Sequence, residues 1–224
     1  MALILNLETA TTNCSVCLAK DGKVIAIKEY DSANYSHAEQ LHNFIKEVLK
    51  EASFSLQDID AVSVSTGPGS YTGLRIGVSA AKGLCFALDL PLISIPTLES
   101  MAHQLVVPEG HLIIPVLDAR RMEVYSAVYN RDWEEIRATE AEIITEDSFK
   151  EYTGTHTVHI MGSGAEKCKG VLNHPNIVLD TTVVPSAREM GQLSQKKFEA
   201  SDFENVAYFE PYYLKDFVLQ KKKS

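Results

Sequence analysis

The alternation of apolar and polar residues near the start of the chain predicts three antiparallel strands. Leu3–Glu8 is a mostly apolar segment typical of a buried strand, and Asn13–Lys20 alternates between apolar and polar side chains. Asp21-Gly22 is a favoured hairpin turn, and it leads into a third strand expected over residues 23–29. The chain is therefore expected to begin with an antiparallel meander.

Two longer segments have the spacing of amphipathic helices. Between residues 36 and 50, apolar side chains recur at intervals of three and four, and Ser36-His-Ala-Glu39 fits a capping box at the start. A strand over residues 61–66 ends at Gly67-Pro-Gly69, and a second long helix is expected over residues 72–89. Pro91 then leads into a short buried strand over residues 92–95.

The second half of the sequence repeats this arrangement. The pattern predicts strands, two of them joined by the polar turn Asp118-Ala-Arg-Arg121, followed by alternating short helices and strands. The expected strands cover residues 112–117, 124–129, 140–144, 158–161 and 177–179, and the expected helices include 145–152 and 186–200. We therefore expect an α/β fold of two similar halves, residues 1–105 and 106–224, with a C-terminal segment able to pack back on the first half.

Composition and charge narrow the function classes. Hydrophobic residues make up 45% and charged residues 23% of the chain, which is typical of a globular protein. With 21 Lys and Arg against 30 Asp and Glu, the net charge of −9 argues against a protein that binds nucleic acid on its own. Four cysteines do not form a disulfide framework, and neither a signal peptide nor a membrane span is recognisable. These features predict a soluble cytoplasmic protein that makes no membrane contact.

The most distinctive segment is a glycine-rich turn between a strand and a helix. Such a turn can hold an anion or a nucleotide phosphate against the first helical amides, with Gly67, Gly69, Thr72 and Arg75 as the contacting residues. The segment lacks the Gly-Lys-Ser/Thr ending of a Walker A loop and the spacing of a Rossmann fingerprint. The alternative is a tight structural turn in which Thr72 is the N-cap of the helix.

Three glycines inside the second long helix require a reason, because each costs about 1 kcal/mol relative to alanine. Gly73 and Gly77 lie one turn apart and allow another backbone to approach closely. The face can pack on the helix over residues 36–50 of the same chain, or both helices can form a surface for another subunit. In the second case the interface residues are Leu41, Ile45, Gly73, Gly77, Ala80 and Leu84.

Sequence patterns for metal binding and catalysis are weak. Cys14 and Cys17 lie three apart on an expected strand and therefore point to opposite faces, as do His156 and His159. The sequence contains neither a Gly-x-Ser-x-Gly elbow nor a His-Glu-x-x-His helix. We therefore assign no catalytic residue and no metal site.

Five motifs, in this order and spacing, resemble the TsaB (YeaZ) family across essentially the whole chain. They are Leu5-Asn-Leu-Glu-Thr-Ala-Thr, Ser36-His-Ala-Glu-Gln-Leu, Gly67-Pro-Gly-Ser-Tyr-Thr-Gly-Leu-Arg-Ile-Gly77, Asp118-Ala-Arg-Arg-Met-Glu-Val-Tyr125 and Pro211-Tyr-Tyr-Leu-Lys215. The resemblance implies the actin/Hsp70/sugar-kinase (ASKHA) fold of two RNase H-like halves. It also implies a role in making N6-threonylcarbamoyladenosine beside the anticodon of tRNAs that read codons beginning with A.

Departures from the catalytic paralogue TsaD indicate a non-catalytic subunit. TsaD-like catalysts have a His-x-x-x-His metal pair where this chain has Thr97 and Met101. Glu8 stands in the first strand where many TsaB-like and kinase-like chains have aspartate. The alternative is an enzyme of the actin-like class, either an ATPase or phosphotransferase or a glycoprotease-like peptidase.

The resemblance also implies the partners. TsaD is expected to bind the two helices, TsaE is expected to join the complex, and the same surface is expected to form a homodimer when TsaD is absent. Contact with tRNA is expected to be indirect, through the complex. No cofactor is expected, apart from a nucleotide at the junction between subunits.

Overall fold

Ten β-strands form two five-stranded sheets in the computed structural model, which describes residues 2–32 and 37–215. The strands are β1 (Leu3–Glu8), β2 (Asn13–Lys20), β3 (Lys23–Asp31), β4 (Ala61–Gly67), β5 (Leu92–Pro96), β6 (His111–Asp118), β7 (Glu123–Tyr129), β8 (Glu135–Ile143), β9 (Thr157–Met161) and β10 (Ile177–Asp180). The helices are α1 (His37–Glu51), α2 (Tyr71–Leu88), α3 (Thr97–Ala102), α4 (Lys150–Thr153), α5 (Ala165–Cys168) and α6 (Ala187–Glu199). A 3-10 turn, Leu56–Asp58, precedes β4.

The two sheets have the same topology. The first has the order β3-β2-β1-β4-β5, and the second has the order β8-β7-β6-β9-β10. In each sheet, the three strands that come first in the sequence pair antiparallel. The fourth strand then pairs parallel to the first, and the fifth pairs parallel to the fourth. This repeated order confirms the expected fold of two RNase H-like halves of the ASKHA class.

Apolar residues cover both faces of each sheet. In the first half, α1 and α2 pack on one face of the sheet around Leu5, Val16 and Val64. On the opposite face, α6 packs through Met190 and Leu193. The second sheet is covered by α4 and α5 on one face and by α3 on the other.

The C-terminal segment crosses from the second half to the first. Helix α6 follows β10 in the sequence but packs on β1, β2 and β5 of the first sheet. Beyond it, Glu204 bridges to Leu92, and the Tyr212 amide donates to the Thr66 carbonyl at 2.8 Å. Residues 187–213 therefore pack mainly on the N-terminal half, whereas Lys215 contacts Glu123 of β7 in the second half.

Several boundaries differ from the sequence-based expectation. Strand β8 begins at Glu135 rather than at residue 140, because it is an edge strand whose charged start lacks an apolar pattern. The helix expected over 145–152 is the single turn α4. The prediction that Thr72 is the N-cap of α2 is wrong, because the Ser70 hydroxyl accepts from the Gly73 amide at 3.3 Å. The capping box predicted at Ser36 lies outside the described residues.

Glycines on α2 have two different environments. A Cβ on Gly73 would lie 2.1 Å from the Thr9 carbonyl oxygen, and one on Gly77 would lie 2.3 Å from the Thr9 Oγ1. Thr9 also donates from Oγ1 to the Gly73 carbonyl at 2.8 Å. A Cβ on Gly83 would meet nothing within 4 Å. Gly73 and Gly77 thus pack inside the monomer against the β1–β2 turn rather than mainly against α1, whereas Gly83 faces outward.

No helix in residues 2–32 and 37–215 combines the length and the apolar character needed to cross a bilayer.

The glycine environments predict opposite effects on stability. Gly77→Leu should destabilise the fold by about 1–3 kcal/mol, because the added side chain displaces Thr9. Gly83→Ala should stabilise it by roughly 0.8–1 kcal/mol through helix propensity alone. Since each kcal/mol shifts the melting temperature by about 2–4 °C in a chain of this size, thermal melts resolve both effects. A Gly77→Leu variant that melts like the wild type would contradict the close Thr9 contact.

Candidate functional site

Loops from both halves line an open cleft of about 820 Å³. One wall is the β1–β2 turn and the start of α2, and the facing wall is the β6–β7 turn together with Ser163. The C-terminal residues Tyr212, Tyr213 and Lys215 also line it. We refer to this feature as the cleft.

The glycine-rich turn forms part of the cleft wall and is already closely packed. Gly67 has a φ of 107°, and a Cβ there would lie 3.0 Å from the Tyr212 carbonyl oxygen. A Cβ on Gly69 would lie 2.4 Å from the Ala10 carbonyl oxygen, which also accepts from the Ser70 amide at 2.6 Å. Packing therefore accounts for both glycines, and an anion site at Gly67, Gly69, Thr72 and Arg75 stays a prediction.

Arg75 and two tyrosines form a small cation–aromatic cluster beside the cleft. The guanidinium of Arg75 donates to the Tyr71 hydroxyl at 2.8 Å and lies 5.3 Å from the centre of the Tyr71 ring. The rings of Tyr71 and Tyr213 are 5.0 Å apart between centroids, at a tilt of 35°. This cluster fixes the C-terminal segment against the first turn of α2.

The β6–β7 turn carries two adjacent arginines with unusual backbone angles. Arg120 has a φ of 70° and Arg121 a φ of 52°, the left-handed region that costs a non-glycine residue about 1–2 kcal/mol. The Asp118 carboxylate holds the turn by accepting from the Arg120 amide at 2.6 Å and from Lys167 Nζ at 2.7 Å. Both arginine side chains are exposed and line the cleft.

Glu8 is a buried carboxyl at the end of β1. Its Oε1 accepts from the Ala10 amide at 2.6 Å and from the Ser65 hydroxyl at 2.8 Å. Its Oε2 is buried and has no hydrogen-bond partner among the described residues. Burial raises the pKa of Glu8 to about 7, although the hydrogen bonds from Ala10 and Ser65 oppose the shift. Glu8 is not among the residues that line the cleft. Its raised pKa makes the neutral form of this carboxyl far more populated than in an exposed glutamate.

A second concave surface, of about 740 Å³, lies along the outer sides of α1 and α2. We call it the α1–α2 groove. Residues from both helices line it, with Tyr71 and Thr72 shared with the cleft. The lining residues are Ala38, His42, Tyr71, Thr72, Arg75, Ile76, Ser79, Ala80, Gly83 and Leu84.

The structure separates the six predicted interface residues. Ala80 and Leu84 are half-buried and line the groove. Leu41 and Ile45 are 0% and 3% exposed in the core, so the prediction that they are surface anchors is wrong. The apolar stripe of α1 that suggested them faces the sheet. Gly73 and Gly77 are likewise buried against Thr9, which removes them from the exposed face.

Core packing occupies the positions where TsaD-like chains have metal-binding histidines. Thr97 is fully buried, and its Oγ1 accepts from the Gly67 amide at 3.2 Å. Met101 is fully buried in the apolar cluster between α3 and the second sheet. Neither side chain is an imidazole, and neither faces solvent.

Clusters of metal-ligating side chains and cysteine thiols are the two kinds of group that bear on metal binding and nucleophilic attack. Residues 2–32 and 37–215 contain no group of three or more His, Cys, Asp or Glu placed to hold a metal ion. Cys14 and Cys17 lie in clusters on opposite faces of the first sheet, as expected from their spacing. Burial raises the pKa of both thiols to about 12, so they remain protonated at neutral pH.

Sequence reasoning missed the arginine pair and the tyrosine cluster as cleft residues. The sequence did contain a signal for the arginines. A hairpin turn normally carries Asn, Asp or Gly at left-handed positions, so two arginines in such a turn are unusual. The pairing of Tyr71 with Tyr213 spans most of the chain, and no local pattern encodes such a contact. His111 and His159 were also missed as a pair, with Nδ1 and Nε2 2.9 Å apart.

The burial of Glu8 predicts a specific pH dependence of stability. Its pKa rises from 4.5 in the unfolded chain to about 7 in the fold, so its neutral form is favoured by folding. The contribution of the neutral Glu8 carboxyl to the free energy of unfolding is therefore fully present below pH 4.5, and it is lost as the pH rises to about 7. Relative to Glu8→Gln, the wild type should lose roughly 3 kcal/mol across this window. Chemical denaturation of both proteins between acid and neutral pH measures the difference, and parallel profiles would contradict it.

Known proteins that are similar to this chain carry names from the same tRNA modification. The family model described as "TsaD: tRNA N6-adenosine threonylcarbamoyltransferase" matches residues 31–157. The tRNA threonylcarbamoyladenosine biosynthesis protein TsaB of Escherichia coli K12 is 32% identical over 228 residues, covering 98% of this chain and 97% of that protein. The protein of the same name from Bacillus subtilis is 35% identical over 127 residues, covering 56% of this chain and 54% of its own.

Solved structures agree in fold over nearly the whole chain. A Pseudomonas aeruginosa protein described as similar to peptidase YEAZ has a TM-score of 0.82 and 25% identity, covering 96% of this chain and 100% of its own. A structure described as YeaZ from Pseudomonas aeruginosa has a TM-score of 0.79 at the same identity and coverage. On the full-length match to the Escherichia coli protein and the agreement of both halves of the fold, this chain belongs to the TsaB family of tRNA threonylcarbamoyladenosine biosynthesis proteins.

Proposed function

We propose that this chain is a non-catalytic, partner-binding subunit in the biosynthesis of N6-threonylcarbamoyladenosine in tRNA. TsaD, the threonylcarbamoyltransferase, is the proposed partner, and the α1–α2 groove is the proposed docking surface. The observation that carries the proposal is the outward-facing Gly83 in the groove, because nothing inside the monomer explains a glycine there.

Small side chains along α2 suit the close approach of another helix. Thr72, Ser79, Ala80 and Gly83 lie along the groove, and Ile76 and Leu84 add apolar area. A Gly83 within a helix costs about 1 kcal/mol relative to alanine. Close helix contact with a partner would offset that cost.

The residues at the TsaD-like metal positions support a non-catalytic role. Thr97 and Met101 are buried in core contacts, so ligands could be restored there only by opening the core. The cysteine thiols are buried and protonated, which leaves them poor nucleophiles. The transfer chemistry is therefore assigned to TsaD.

Two further partners follow from the same proposal. A second copy of this chain would occupy the α1–α2 groove when TsaD is absent, because a helix pair related by a two-fold axis can be self-complementary. TsaE would then join the complex of this chain with TsaD.

A substitution at Gly83 tests the docking surface without disturbing the monomer. Gly83→Leu should abolish co-purification with TsaD and dissociate any homodimer, because the side chain fills the groove. The melting temperature should not fall, since a Cβ there meets no neighbour and leucine favours helix. Gln192→Leu, which adds the same side chain to an exposed position of α6, is the matched control. Retained TsaD binding by a folded Gly83→Leu variant would place the interface elsewhere.

The proposed non-catalytic role also predicts the activity of the isolated protein. Purified chain should show no threonylcarbamoyl transfer, peptidase activity or sustained ATP hydrolysis, because the histidine positions are filled by Thr97 and Met101. Modification of tRNA should appear only when TsaD and TsaE are added. Turnover that tracks this chain through purification in the absence of both partners would support the ATPase, phosphotransferase or peptidase alternative instead.

A further inference from the structure

Two arginines that line the cleft, Arg120 and Arg121, form no ion pair with any described residue. The nearby acids Asp118 and Glu123 are already paired, with Lys167 and Lys215 respectively. None of the ion pairs among the described residues includes Arg120 or Arg121. In a chain of net charge −9, this is a local concentration of free positive charge.

The backbone of the turn makes these arginines costly for the fold. Both residues adopt positive φ angles, which Asn and Gly adopt with much less strain. Their side chains are exposed, so core packing does not explain why arginine stands at either position. Strain retained at an exposed charged turn is typical of a binding site.

Aromatic side chains lie along the same cleft. Tyr212 and Tyr213 are 50% and 38% exposed. The Tyr213 ring lies at a tilt against the ring of Tyr71, and the Arg75 guanidinium lies over the Tyr71 ring. Planar rings beside guanidinium groups are the combination that binds unpaired bases together with their phosphates. An acidic peptide would use the positive charge but gain nothing specific from the rings.

We propose that Arg120 and Arg121 contact backbone phosphates of an RNA segment whose unpaired base lies against Tyr212 and Tyr213. The proposal rests on the proposed function, which places this chain in a complex that acts on tRNA. It adds a direct RNA contact by this subunit to that function. The contact is weak for the isolated chain, because the overall charge repels a polyanion outside the cleft.

The test uses a variant that removes both charges and relieves the strain. Arg120→Asn combined with Arg121→Gly supplies residues that accept positive φ, so the melting temperature should be unchanged or rise by ~2–4 °C. Binding of a fluorescein-labelled, unmodified anticodon stem–loop RNA is followed by anisotropy across a salt series, with the full chain alone and with TsaD. The slope of log affinity against log salt should fall by about 1.4, which corresponds to two lost phosphate contacts.

Matched variants separate this contact from general electrostatics and from the docking surface. Arg131→Asn with Lys169→Gln removes two exposed positive charges outside the cleft and should leave the slope unchanged. Arg120→Gln with Arg121→Gln removes the same charges without introducing glycine and should lose the same binding. The Arg120→Asn/Arg121→Gly protein should still co-purify with TsaD, and Gly83→Leu should still bind the RNA, so failure of either proposal is distinguishable from failure of the other.

Several results would overturn the proposal. Equal loss of RNA binding in the cleft variant and in the Arg131/Lys169 control would reduce the effect to net charge. Absence of measurable RNA binding by the wild-type chain, both alone and with TsaD, would remove the contact. Arginine-dependent binding of a poly-glutamate peptide in preference to RNA would assign the turn to an acidic protein segment, and equally tight binding of ATP would assign it to a mononucleotide.

Discussion

The contact between α2 and the β1–β2 turn is the constraint on which the shapes of the cleft and of the α1–α2 groove depend. Thr9 and Ala10 sit where side chains on Gly69, Gly73 and Gly77 would otherwise be. The helix can therefore lie directly on the backbone of the turn, where the Thr9 hydroxyl holds the Gly73 carbonyl and the Ser70 amide holds the Ala10 carbonyl. This position fixes the first turn of α2 as a cleft wall and its outer side as a groove wall.

Two buried residues of α3 connect the glycine-rich turn with the core of the second half. In this chain Thr97 completes a hydrogen bond to the glycine-rich turn, and Met101 fills the cluster between α3 and the second sheet. Thr97 thus holds α3 to the glycine-rich turn within the first half, whereas Met101 packs α3 against the second half. The short helices α4 and α5 also leave the second half with less helical surface than the first, where α1 and α2 remain open along one side.

Local patterns predicted the parts of the fold that local physics determines. The apolar stripe indicated helix α1, and the repeated arrangement of elements indicated two similar halves. In β2 the alternation marked one apolar face, whereas the structure buries the opposite face with Asn13 and Ser15 as well. The residues of the candidate site were harder to predict, because the sequence of an apolar stripe does not show whether the stripe faces a sheet or a partner. Leu41 and Ile45 satisfy either interpretation in sequence, and the position of the sheet alone decides between them. Likewise, Gly73, Gly77 and Gly83 look alike until Thr9 is placed opposite two of them.

The arrangement also brings the two proposed surfaces to one element. Tyr71 and Thr72 line the cleft on one side and the α1–α2 groove on the other. Arg75 joins them by holding Tyr71, which in turn contacts Tyr213 in the C-terminal segment. A partner seated in the groove therefore touches side chains that also shape the cleft. Because Gly69 and Gly73 leave the start of α2 no room to move against Thr9 and Ala10, any adjustment there falls on the exposed side chains rather than on the helix.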